Sequence, residues 1–210
     1  MYEDRTDAAL ALIPFLKKYE GQNGIVLAIP RGGVPIAYPI ARVLRFPLDI
    51  LLTKKIGHPN QKELAIGAVS LQARVLSRKL TVSAAYIDAE TARIQLLLRE
   101  MYTRYRGAKA PADSTGKVII VVDDGIATGQ TLLATIELLR SQRPARLVVA
   151  VPVGPPEAVR RIGREVDELI CPLVPDNFQA VGQFYRNFSQ TSDEEVIALL
   201  QKADDRSAPD

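Results

Sequence analysis

Two adjacent carboxylates, Asp123 and Asp124, stand between an apolar run and a loop rich in glycine and threonine. The five residues before them, Val118 to Val122, are all β-branched, which is typical of a strand buried on both faces of a parallel sheet. Beyond the loop, Leu132 to Arg140 carries apolar residues at helical spacing. This order brings free backbone N–H groups and the positive end of a helix dipole to one point, where a phosphate group can bind.

The loop between the acidic pair and the helix supplies further donors for an anion. Its glycines let the backbone approach closely, and its threonine hydroxyls can donate. We expect binding contributions from the whole loop: Gly125, Ile126, Ala127, Thr128, Gly129, Gln130 and Thr131. The carboxylates would repel phosphate unless they face ribose hydroxyls or Mg²⁺ held through water. The loop has neither the Gly-Lys-Ser/Thr ending of a Walker loop nor the Gly-x-Gly-x-x-Gly pattern of a dinucleotide site.

The stretch Val118 to Thr131 resembles the phosphoribosyl-diphosphate (PRPP) motif of the type I phosphoribosyltransferases: a hydrophobic strand, two acidic residues and a Thr-Gly-x-Thr loop. The chain resembles a branch of predicted phosphoribosyltransferases over roughly residues 1–200. The resemblance implies an α/β fold of three layers, with a mainly parallel five-stranded sheet and a small hood or ribbon. It also implies transfer of ribose 5-phosphate from PRPP to a nitrogenous base, with Mg²⁺ as cofactor and pyrophosphate as product.

A second glycine turn follows the strand predicted at Ile25 to Ile29 and precedes a helix at Ile36 to Leu44. Arg31 offers a fork of donors for phosphate, and Gly32 and Gly33 let backbone amides reach it. An ordinary turn between a strand and a helix is the alternative interpretation. In the family that the chain resembles, the loop after the first core strand binds pyrophosphate, and these three residues occupy its place.

A polar segment, residues 56–63, is punctuated by glycine and proline and is expected to be a mobile loop. It follows a third strand predicted at 47–53 and precedes two ribbon strands predicted at 64–70 and 73–77. The resemblance implies a flexible loop here that closes over PRPP, so the catalytic candidates beside Arg31 are Lys54, Lys55 and His58, with Lys62 nearby. For His58 a solvated loop residue is an equal alternative, and a metal-ligand role is poorly supported because no second histidine or cysteine accompanies it.

The acceptor site is expected in the segment Leu173 to Tyr185. This stretch resembles the Pro-Asp-x-Phe-Val-x-Gly segment of hypoxanthine-guanine phosphoribosyltransferases, whose phenylalanine stacks on the purine, and Phe178 is the corresponding residue. The alternative is a satellite aromatic cluster formed by Phe178, Phe184, Tyr185 and Phe188. Ala127 stands where the 6-oxopurine enzymes carry an aspartate, and residues 151–157 lack their lysine. Both departures argue against a typical 6-oxopurine, and Ala-Thr-Gly after the acidic pair is closer to the adenine enzymes.

Length and composition bound the remaining expectations. With 210 residues, 47% of them hydrophobic, we expect one domain over 1–203 with hood elements within 54–80 and 172–190, and a frayed tail at 204–210. A single cysteine is typical of a protein in the reducing cytoplasm, and no apolar run is long enough to predict a membrane-spanning helix. The net charge of +3 fits a polyanionic small substrate better than nucleic acid. A homodimer stays open, and a PRPP sensor without transferase activity is the competing hypothesis.

Overall fold

A computed structural model describes the chain over residues 1–76 and 82–205. Within these ranges, the helices are α1 Arg5–Leu16, α2 Gly33–Leu44, α3 Ala84–Arg106, α4 Gln130–Ser141, α5 Pro156–Gly163 and α6 Asp193–Asp204. The strands are β1 Gly24–Ala28, β2 Leu48–Ile50, β3 Thr53–His58, β4 Gln61–Ser70, β5 Arg74–Leu76, β6 Val118–Val122, β7 Arg146–Ala150 and β8 Glu168–Ile170. The β-branched run therefore forms a strand with the predicted bounds.

The five-stranded sheet is parallel and has the order β2-β1-β6-β7-β8. The chain moves outward from β1 to β2 on one side and from β6 through β7 to β8 on the other. Strands β1 and β6 are therefore neighbours at the point where the strand order reverses, which is where open α/β sheets bind ligands. Their register pairs Gly24 with Val118 and Ala28 with Val122, so the two strands end level with each other.

Alternate residues of β6 enter two separate cores, which explains why an unbroken apolar run is needed there. Val118, Ile120 and Val122 pack with residues of α1, α2, α3 and α6, whereas Ile119 and Val121 pack with residues of α4 and α5. The sheet is thus covered on both faces. The predicted three-layer α/β fold with a parallel five-stranded sheet is confirmed.

A small antiparallel sheet of β3, β4 and β5 stands apart from the main sheet. The expectation of a mobile loop at residues 56–63 was wrong, because β3 extends to His58 and β4 begins at Gln61, with His58 paired to Gln61. Buried Ile56 and Ile66 hold this hairpin from below. The third strand was also predicted too long, because the chain leaves the main sheet after Ile50 and starts β3 at Thr53.

The carboxyl end of the described chain is better ordered than expected. Asp204, predicted to begin a frayed tail, is the last residue of α6 and pairs with Arg106 and Lys109 at 3.0 and 2.6 Å. Residues 206–210 of the predicted tail and residues 77–80 of the predicted hood lie outside the described residues. Among the helices of the described ranges, none has the length and apolar character to cross a membrane.

Candidate active site

Two loops meet at the level ends of β1 and β6. The loop after β1 runs from Ile29 to Gly33, and Ile29 N–H donates to the carbonyl of Val122 at 2.9 Å. A Cβ added to Gly33 would lie only 2.5 Å from that carbonyl oxygen, so glycine is required for the first turn of α2 to pass over the end of β6. The predicted pyrophosphate loop and the predicted PRPP loop are therefore in direct contact.

Asp123, the first residue of the acidic pair, lies half-buried at the end of β6. Its Oδ1 accepts a hydrogen bond from Asp124 N–H at 2.8 Å. Burial, reinforced by the neighbouring Asp124 charge, raises the pKa of Asp123 to about 8. The protonated form of the Asp123 carboxyl is therefore favoured more than in a solvent-exposed aspartate, and a ligand that needs the carboxylate form works against this shift.

Asp124 is paired with an arginine from the start of α1. Arg5 donates to Asp124 Oδ2 from Nη2 at 2.8 Å and from Nε at 3.2 Å, and the two side chains are 12% and 18% exposed. The same oxygen lies against Gly32 so closely that an added Cβ would overlap it. Oδ2 is thus enclosed between Arg5 and the pyrophosphate loop. On the other side of the residue, Tyr185 Oη donates to the Asp124 carbonyl at 2.7 Å.

The rest of the PRPP loop leads into the amino terminus of α4. Gly129 caps this helix in the left-handed conformation, with φ of 71°, and no side chain caps it. The N–H groups of the first turn therefore lack helical partners, and Gln130 N–H has only a long contact of 3.5 Å with Thr128 Oγ1. The loop borders a concavity of about 190 Å³, lined by Asp123, Gly125, Ile126, Ala127, Thr128, Gly129, Thr131, Leu132 and Val181.

Arg31 is held beside the first turn of α6, and the peptide bond that joins it to Pro30 is cis. Its Nη1 lies 3.5 Å from Asp193 Oδ1, and its side chain is 37% exposed. Asp193 also accepts from Tyr105 Oη at 2.6 Å and lies 3.7 Å from Arg104. Arg31 therefore lies in the loop after β1 with a partly exposed guanidinium that is held by a long ion pair.

The structure places the three ribbon candidates differently. Lys55 Nζ pairs with Glu63 across the hairpin at 2.6 Å. Lys54 is exposed, and no ion pair to it is formed within the described residues. His58 Nδ1 accepts from Asn60 N–H at 3.3 Å inside its own turn, and no described hydrogen bond joins it to the two site loops. The ribbon contacts α4 through Thr53 Oγ1, which lies 3.0 Å from Thr135 Oγ1.

Phe178 lies in residues 173–189, the covering segment, which contacts the acidic loop through Val181 and Tyr185. Its ring stacks on Phe184 with centroids 5.4 Å apart and 19° between the planes, which leaves it half-buried. Val181 of the same segment contacts the loop at Gly125, where an added Cβ would lie 2.6 Å from the valine Cγ1. Of the aromatic cluster that the sequence offered as an alternative, two pairs are formed: Phe178 with Phe184, and Tyr185 with Phe188 at a centroid distance of 4.9 Å. Stacking of Phe178 on an acceptor stays a prediction.

Three residues contact the site in ways that the sequence did not predict. Arg5 lies in the first turn of α1, Asp193 in the first turn of α6, and Tyr185 in the covering segment. For Arg5 a signal was present: cations are disfavoured at the positive end of a helix, so an arginine immediately after the capping residue Asp4 indicates another partner.

The chain belongs to the phosphoribosyltransferases. It matches the family model of the phosphoribosyl transferase domain over residues 7–189. Two relatives from Mycobacterium tuberculosis, strains CDC 1551 and H37Rv, are provisionally named phosphoribosyl transferases and are each 41% identical to it over 208 residues. The alignments cover 97% of this chain and 47% of each relative, so the chain spans about half the length of these relatives.

Two solved structures share the fold of this chain. The crystal structure of TT1426 from Thermus thermophilus superposes with a TM-score of 0.85 at 37% identity, covering 96% of this chain and 98% of that one. The AQ2163 protein from Aquifex aeolicus is similar in fold alone, with a TM-score of 0.51 at 15% identity over 85% of this chain and 78% of that one.

Proposed function

We propose that this protein transfers the ribose 5-phosphate of PRPP to a nitrogenous base other than a typical 6-oxopurine, releasing pyrophosphate. The observation that carries the proposal is the contact between the Arg31–Gly33 loop and the acidic Asp123–Asp124 loop at the level ends of β1 and β6. One loop offers donors for a diphosphate, and the other offers carboxylates beside the open N–H groups of α4. The family match over 7–189 supports treating residues 1–203 as a single domain of this kind.

In this proposal, different site residues bind the ribose, the 5′-phosphate and the diphosphate of PRPP. The carboxylates of Asp123 and Asp124 accept from the ribose hydroxyls, while Thr128, Gly129 and Thr131 surround the 5′-phosphate at the start of α4. Gly125, Ile126, Ala127 and Gln130 complete that loop. Arg31, with Gly32 and Gly33, binds the diphosphate end.

Breaking the bond between ribose and diphosphate builds positive charge on the sugar and negative charge on the leaving group. Catalysis then depends on positioning and on stabilising the departing anion. Arg31 can turn from Asp193 toward that anion, and exposed Lys54 is available without breaking another ion pair of the described residues. Lys55 must first leave Glu63. His58 lies at the tip of the hairpin. In this proposal the ribbon must move to bring His58 to the substrate.

The donor set fits Mg²⁺ only as a companion of the substrate. The described residues contain no cluster of three or more histidine, cysteine, aspartate or glutamate side chains, and Asp124 Oδ2 is already paired with Arg5. Asp123 and Asp124 would therefore hold the ion indirectly, through water or the ribose. When bound, Mg²⁺ neutralises charge on the diphosphate.

Within this proposal the acceptor binds between Ala127, Val181 and the ring of Phe178. The small side chain of Ala127 leaves room on the exposed side of the loop, and Val181 makes the adjoining wall apolar. An aromatic face suits a flat heterocycle. These features support a nitrogenous heterocycle that needs no carboxylate at position 127, which separates it from the typical 6-oxopurines.

Pyrophosphate release from PRPP and Mg²⁺ across a panel of nitrogenous bases tests the proposal. We expect release with at least one base outside the 6-oxopurines, and loss of that release in Asp124→Asn. Asp88→Asn is the control, because Asp88 pairs with Arg74 on the exposed surface. Wild-type protein that does not bind PRPP contradicts the proposal, and binding without release for any base indicates the sensor instead.

A further inference from the structure

The Arg5 side chain makes several contacts beside the acidic loop. It donates twice to Asp124 Oδ2, it donates from Nη1 to the Ser189 carbonyl at 2.8 Å, and its Cζ lies 4.2 Å from the centroid of the Phe188 ring. An added Cβ at Gly32 would lie 3.3 Å from its Nη2. One guanidinium therefore touches the acidic loop, the covering segment and the edge of the pyrophosphate loop.

At the first position of α1, a positive charge is unfavourable unless it has partners such as these. Asp4 caps α1 by accepting from the N–H groups of Thr6 and Asp7, which fixes Arg5 as the first helical residue. A cation there opposes the helix dipole. The preceding residues are anchored as well, because Tyr2 N–H donates to the Phe184 carbonyl and Arg186 N–H donates to the Tyr2 carbonyl, at 2.8 and 2.9 Å. The backbone that carries Arg5 is therefore built against the site.

The two donors of Arg5 reach the same carboxylate oxygen. Oδ2 of Asp124 is enclosed by Arg5 and Gly32, and Oδ1 is left without an arginine contact from the described residues. A carboxylate held through one oxygen keeps the orientation of the other, which pre-organises it for a hydroxyl.

We propose that Arg5 is a positioning residue for the ribose part of PRPP: it fixes Asp124 so that Oδ1 faces the ribose hydroxyls. This inference rests on the proposed function, because it assumes that the ribose of PRPP lies against Asp124. It predicts a selective effect. Loss of Arg5 weakens ligands that contain ribose and spares pyrophosphate, whose loop is formed by other residues.

Calorimetric binding of three probes to the full chain tests this selectivity. The probes are PRPP with Mg²⁺, ribose 5-phosphate, and pyrophosphate with Mg²⁺. For Arg5→Gln we expect affinity for the two ribose ligands to fall about 10–100-fold, the range for losing a hydrogen bond to a charged group. Pyrophosphate affinity should stay within about threefold of wild type. For Arg5→Lys, which keeps the charge but not the two-donor fork, we expect an intermediate loss for the ribose ligands only.

Arg146→Gln is the matched control. Arg146 also joins an ion-pair cluster, with Tyr19 and Glu168 at the amino ends of the strands, far from the site. Its loss should leave all three affinities unchanged, and thermal unfolding checks that every variant is folded. Wild-type affinities in both Arg5 variants, or equal loss of all three ligands in a folded variant, overturn the inference. If Arg5→Gln does not fold, the Arg5→Lys result decides. Wild-type protein that binds no PRPP instead refutes the proposed function itself.

Discussion

Gly32→Ala isolates the close packing between the two site loops. Gly32 has φ of −61° and ψ of −29°, a helical conformation that alanine adopts readily. By itself the substitution should stabilise the chain by about 0.4–1 kcal/mol, because it restricts the unfolded state. The added Cβ, however, would overlap Asp124 Oδ2 and lie 2.6 Å from Asp124 Cγ, whereas real Cβ contacts below 3.0 Å essentially never occur. The carboxylate must therefore move away from its place beside Arg5.

The expected loss falls mainly on binding. Overpacking of this kind costs about 1–3 kcal/mol, so the free energy of unfolding should drop by no more than about 2–3 kcal/mol. A displaced Asp124 loses its hydrogen bond to the ribose, worth about 1.5–3 kcal/mol for a charged acceptor, or about 10–100-fold in affinity for PRPP.

Calorimetric titration with PRPP and Mg²⁺, beside chemical denaturation, measures both quantities. Gly163→Ala serves as the control, because its added Cβ would find nothing nearer than Leu169 Cδ2 at 3.8 Å. We expect that control to bind PRPP like wild type. A Gly32→Ala protein that binds PRPP within about threefold of wild type refutes the reasoning, because the ribose would then not depend on the position of Asp124.

Three further predictions follow from other parts of the site. The raised pKa of Asp123, about 8 against an ordinary 3.8, means that the native state binds the extra proton between these values. Its contribution to stability should therefore fall as pH rises through that window, by at most about 1.4 kcal/mol per pH unit, and Asp123→Asn should flatten the dependence in urea denaturation; an unchanged slope contradicts the assignment. Phe178→Ala should weaken acceptor binding by about 1–3 kcal/mol with PRPP affinity kept, and equal loss of both ligands in steady-state kinetics rules out stacking. Asp193→Asn should release Arg31 and tighten pyrophosphate binding by up to about fivefold, since exposed ion pairs are worth at most about 1 kcal/mol; weaker binding in a titration means that Asp193 instead orients Arg31 productively.

Local sequence patterns predict much of the fold. Five β-branched residues can satisfy burial on both faces only inside a parallel sheet, and Val118–Val122 forms such a strand. Gly129 takes the left-handed conformation that few other residues adopt, so the start of α4 also follows from residue type. The hairpin at 56–63 was missed because its polar surface suggests a loop, while the contacts that hold it come from Tyr86, whose Oη donates to the Gly57 carbonyl at 2.8 Å.

The sequence by itself determined the family, the parallel sheet and the two glycine loops, because each depends on residues adjacent in the chain. Tertiary structure alone decided the partners of the charged groups. Arg5 lies 119 positions from Asp124, and their pairing exists only because α1 packs beside the switch point between β1 and β6. Asp193 likewise reaches Arg31 through the packing of α6 against α2. The sequence shows which side chains carry charge. The fold decides which groups lie next to them, and hence which carboxylate is paired with arginine and which has a raised pKa.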